Sequence, residues 1–65
     1  MYLIQVYDED GFCFLTTEIP MIPRVGEEIE DESGARYVIT GVVYPLKGGH
    51  DTRRIIKLEV KRAYP

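Results

Sequence analysis

The chain predicts an all-β domain of five short antiparallel strands, closing into a small barrel or a strongly curled sheet. Three observations carry this. Apolar residues recur at every second position, and no stretch shows the 3.6-residue repeat of an amphipathic helix. Turn signals built from Gly, Pro and Asp fall about every ten residues. The most apolar run, rich in β-branched residues, is interrupted by Gly41, which marks a bend or bulge where a strand curls over.

Met1 to Tyr7 alternates around Tyr2, Ile4 and Val6 and reads as the first strand. Asp8-Glu9-Asp10-Gly11 is a turn, with Gly11 at the positive-φ position and the aspartates bonding to nearby backbone. Phe12 to Thr17 resumes the strand pattern, so residues 1–18 form a hairpin. The acidic turn is no calcium loop, because the twelfth position counted from Asp8 is Ile19 and not an acid. Ile19-Pro20-Met21-Ile22-Pro23 holds two prolines and cannot be a central strand. Being apolar, it either packs under the barrel as a lid or forms an exposed contact surface.

Pro23 to Val43 is the stretch around which the rest is arranged. Glu27 to Asp31 is a short strand with Ile29 pointing in, Glu32-Ser33-Gly34 turns the chain, and Arg36 to Tyr44 returns as the longest strand. Pro45 ends it, and Lys47-Gly48-Gly49-His50-Asp51-Thr52 is a loop. In the last strand, Arg53 to Tyr64, Ile56, Leu58 and Val60 face in while Lys57, Glu59 and Lys61 face out. The expected core is Ile4, Val6, Phe14, Ile29, Val38, Val42, Ile56, Leu58 and Val60.

At 65 residues this is one domain, close to the lower limit for a chain that folds on its own core. Self-association, through the apolar loop or an open strand edge, is therefore expected. With 45% hydrophobic and 29% charged residues the composition is that of a globular protein rather than a disordered one. No apolar run is long enough to span a bilayer, and Met1-Tyr2-Leu3-Ile4-Gln5 has no basic n-region, so a cytoplasmic location is expected. The single cysteine, Cys13, allows no internal disulfide and no Cys-rich zinc site.

Charge is polarised along the chain. Residues 1–46 carry nine carboxylates against two arginines, a net of −7, while residues 47–65 carry six basic groups against two acids, a net of +4. Either the folded protein presents faces of opposite sign, or the sheet interleaves the charges as cross-strand pairs.

Pro23-Arg24-Val25-Gly26-Glu27-x-Ile29, followed by Gly34 and Tyr37-x-Ile39-x-x-Val42, resembles the P-x-V-G-[DE] … Y-x-V pattern of SH3-like small barrels. Similar patterns occur in short, mostly uncharacterised bacterial and phage proteins. The resemblance covers about a third of the chain, and it implies an SH3-like barrel. The chain has no Trp, so the aromatic groove by which such domains grip Pro-rich peptides is not provided.

Few residues can do chemistry. His50 is the only histidine, which leaves no multi-histidine metal site. Cys13 lies between Phe12 and Phe14 as an inert thiol, and Ser33, the only serine, lies in a turn. The carboxylates of Glu27, Glu28, Glu30, Asp31 and Glu32 form a solvated, edge-blunting border. The expectation is a protein that is not an enzyme and needs no cofactor and no metal.

Binding is what remains. The loop residues Lys47, Gly48, Gly49 and His50, with Arg53 and Arg54, combine free backbone N–H groups with positive charge and suit a phosphate or nucleotide, or else form a solvated hairpin loop. Ile19, Met21 and Ile22 together with Glu27, Glu28 and Glu30 suit contact with a host protein. A nucleic-acid-binding module is the alternative, with Lys57, Lys61 and Arg62 for phosphates and Tyr37, Tyr44 and Tyr64 for stacking, set against a negative total charge. Short size and the resemblance to phage proteins imply a phage-encoded stoichiometric antagonist of a bacterial defence system. It would act in the host cytoplasm, by binding a host protein or by sequestering a nucleotide signal.

Overall fold

The computed structural model describes residues 1–46 and 55–64. Five strands appear in chain order: β1 (Tyr2–Tyr7), β2 (Cys13–Ile19), β3 (Glu28–Glu30), β4 (Arg36–Val43) and β5 (Ile55–Arg62). They form one sheet in the order β2-β1-β5-β4-β3, curled into a half-barrel whose edges, free among the described residues, are β2 and β3. Among the described residues there is no helix long and apolar enough to cross a membrane.

One pairing departs from the expected antiparallel sheet. β1 runs parallel to β5, with Ile4 beside Ile56 and Val6 beside Leu58. Alternating apolar positions look the same in either direction, so the sequence pattern does not report strand polarity. Polarity is set by the connection from Ile19 to Glu28, which carries the chain to the far edge of the sheet before β4 and β5 fold back toward β1.

The concave side holds the core: Ile4, Val6, Ile39, Ile56, Leu58 and Val60 are buried. Phe14, Ile19, Ile22, Ile29, Tyr37 and Val42 pack against them while staying partly exposed. The expected core therefore stands for all but one residue. Val38 points to the convex side, and Ile39 takes its place. The cause is a bulge at Thr40, where the register jumps from Ile39–Val60 to Gly41–Glu59 and reverses the in–out phase of the strand. Thr40 Oγ1 donates to the Glu59 carbonyl at 3.1 Å, giving the displaced carbonyl a partner. A second bulge, at Phe14, falls where Val6 pairs with Leu15 and Tyr7 with Cys13. It releases the Phe14 ring to lie 5.1 Å from that of Tyr37, closing one end of the half-barrel.

The same turn chemistry is used twice. Asp8 Oδ1 accepts the N–H groups of Asp10 and Phe12, each at 2.9 Å, and Gly11 has φ +83°. Asp31 Oδ1 accepts the N–H of Ser33 at 2.9 Å, the Ser33 hydroxyl at 2.6 Å and the N–H of Ala35 at 3.0 Å. The Ser33 hydroxyl, followed by the backbone donors, holds the Asp31 carboxyl below the usual aspartate range. Its charged form therefore stabilises the folded state above the ordinary aspartate pKa, and that contribution is lost as pH falls through the lowered folded value. Asp31→Asn should flatten the acid limb of the urea midpoint plotted against pH. An acid limb of unchanged slope in Asp31→Asn would contradict this.

Candidate functional site, the groove between the sheet edges

Because the sheet stops at a half-barrel, β2 and β3 do not meet, and a groove of about 390 Å³ opens between them. Its floor is the core itself, Ile4, Val6 and Leu58. One wall is the inward row of β2, Leu15, Thr17 and Ile19, continued by Pro20, Met21 and Pro23; the other is Ile29 and Glu30 of β3. The walls follow from register: Leu15 pairs with Val6 and Thr17 with Ile4, so each shares the concave face with a buried neighbour. The prolines keep the segment after β2 from extending the strand and leave it as a rim.

The segment 19–23 divides between packed and exposed residues. Ile19 and Ile22 pack on the core as a lid does, whereas Met21 is 78% exposed at the groove mouth.

The acidic border divides as well. Arg24, Val25, Gly26 and Glu27 form a β-turn closed by the Glu27 N–H on the Arg24 carbonyl at 3.0 Å, with Gly26 at φ +94° in its third position. The turn is tied to β4 by two bonds, Gly26 N–H to the Ile39 carbonyl at 2.9 Å and Ile39 N–H to the Glu27 carbonyl at 2.8 Å. Glu27 Oε1 accepts the Arg24 N–H, so this carboxylate serves its own turn. Glu28 and Glu30 stand exposed on β3, and Glu30 meets Arg36 at 3.4 Å. That contact, and secondarily Tyr64, holds the Arg36 guanidinium above its ordinary pKa.

It is the only salt bridge among the described residues, so cross-strand pairing engages Glu30 and Arg36 and no other charges there. The basic strand β5 lies near the middle of the sheet and the acidic β3 at its edge. Lys57 lies 5.5 Å from the ring centre of Tyr7. The residues expected for nucleic acid are not gathered on one platform. Lys57 and Lys61 sit on the convex side, whereas Tyr37 faces the concave side against Phe14.

Tyr44 lines a second recess of about 720 Å³ with Met1, Tyr2, Ile22 and Leu46. Cys13 is partly buried and directs its thiol to the Leu15 carbonyl at 3.6 Å. Among the described residues no three His, Cys, Asp or Glu side chains are grouped to hold a metal. The expected phosphate site, Lys47, Gly48, Gly49, His50, Arg53 and Arg54, lies outside the described residues.

Sequence reasoning missed Leu15 and Thr17 as groove wall. A period-2 reading started from Phe14 places them outward, and only the bulge at Phe14 turns them in. Scans against protein-family models, curated proteins and solved structures find no match to this chain.

Proposed function

We propose that this chain is a non-enzymatic binding protein that acts stoichiometrically, gripping a partner protein at the groove between β2 and β3. The observation that carries the reading is the pairing of an open apolar groove with an exposed Met21 on one rim and Glu30 of the acidic strand β3, next to exposed Glu28, on the other. Apolar anchors in a pocket supply most of the energy of such contacts, and rim charges supply selectivity and rate of encounter. The partner that fits is an apolar segment flanked by Lys or Arg, such as the border of a nucleic-acid channel. The resemblance to short phage proteins supports the further reading of a phage-encoded antagonist that blocks a bacterial defence protein by occupying it.

A version in which the protein sequesters a nucleotide signal rests on Lys47 to Arg54 instead, and one experiment separates the two. Tagged protein is used to capture partners from bacterial lysate, with mass spectrometry of bound proteins and small molecules. Glu28→Lys with Glu30→Lys should lower capture of a specific protein by about tenfold or more, since like charges then meet across the rim. Arg53→Ala with Arg54→Ala should leave it unchanged. The opposite pattern would move the activity to the loop and refute the groove.

A further inference from the structure

We propose that the free edge of β2 is a self-recognition surface, on which a second copy of this chain pairs antiparallel about a two-fold axis at Thr17. The two free edges of the sheet differ sharply. β3 is three residues long and reads Glu-Ile-Glu, so pairing with itself about Ile29 would set Glu28 against the partner's Glu30 twice. That edge is short and charged, as blunted edges are. β2 has seven residues, no Pro, no Lys or Arg, and a single charge at Glu18. Nothing in its composition guards its unpaired backbone groups.

The regular part of β2 is also bounded symmetrically. The bulge at Phe14 ends it on one side and Pro20 on the other, leaving Leu15 to Ile19 with Thr17 at the centre. A two-fold axis there uses all five residues. On the concave side it sets Leu15 against the partner's Ile19, twice, joining apolar side chains that are incompletely covered in the single chain. Thr17 meets its own copy on that same side, and on the convex side Thr16 meets the partner's Glu18, also twice. No like charges are opposed. The dimer so formed is one continuous ten-stranded sheet with both grooves on the same side and the acidic β3 strands at its outer edges. The pairing does not rest on the gripping role proposed for the groove, although Leu15, Thr17 and Ile19 also line that groove.

Sedimentation of the full chain under reducing conditions, over a micromolar concentration range, tests the idea. The wild type should reach a dimer, and a monomer throughout that range overturns the proposal without need of any variant. Thr16 is exposed, so charges placed there act on the pairing and leave the core alone. Thr16→Glu opposes Glu18 of the partner at two symmetric contacts and should weaken dimerisation about tenfold, while Thr16→Lys should strengthen it. Adding Glu18→Lys to Thr16→Glu should restore the wild-type constant. A dimer indifferent to both changes at Thr16 places self-association elsewhere, and failure of Glu18→Lys to rescue refutes the register; either outcome overturns the proposal. Stoichiometric binding of an extended foreign peptide at this edge by a chain that stays monomeric would do the same.

Discussion

Leu58→Ala should leave the chain largely unfolded at room temperature. Leu58 is fully buried in β5, flanked by Val6 of β1 on one side and Val42 of β4 on the other. Held between two paired strands, its neighbours have little freedom to close over the space that the side chain vacates. Such truncations cost about 2–5 kcal/mol. A domain of 65 residues has a total stability of roughly 3–10 kcal/mol at the usual value per residue. The loss therefore removes most of what holds the chain folded. Ile39→Ala, at 1% exposure, belongs in the same range. Val38→Ala, one residue away on the convex side, should cost less than half as much. Thermal and urea melting followed by circular dichroism would check the series. A wild-type transition in Leu58→Ala would refute the concave core, and a Val38→Ala loss exceeding that of Ile39→Ala would refute the bulge at Thr40.

All five strands were legible in the sequence because period-2 alternation reports the exposed and buried faces of a half-covered sheet directly. The turns were legible for a different reason. Asp8 with Gly11 and Asp31 with Gly34 combine a side-chain acceptor with a residue free to take positive φ, and each is found doing so. Gly26 in the Pro-Arg-Val-Gly-Glu stretch does the same, which explains that motif as a turn fastened to Ile39.

What alternation alone does not carry is a change of phase. Gly41 advertised a bulge, yet only the register shows that Thr40 is the extra residue and that Ile39, not Val38, goes in. Phe14 hid a second bulge with no glycine to mark it, and with it the wall of the groove. The parallel pairing of β1 with β5 was likewise silent, being decided by where the 20–27 connection delivers the chain. The exposure of Met21 follows from its place between two prolines that keep it out of a strand. Glu27 was not legible as a turn residue, because its carboxylate serves the Arg24 N–H three positions back.

Met21→Asp tests most directly whether the groove is what this protein grips with. The side chain is 78% exposed and adds little to the core, so the folded state and its melting transition should be unchanged. Placing a carboxylate at the groove mouth should nonetheless weaken binding of the captured partner about thirtyfold or more, the loss expected when an apolar anchor gives way to a desolvated, unpaired charge. Titration of that partner with wild-type and Met21→Asp protein would give both affinities. Undiminished affinity of a folded Met21→Asp protein would contradict the groove as the binding surface.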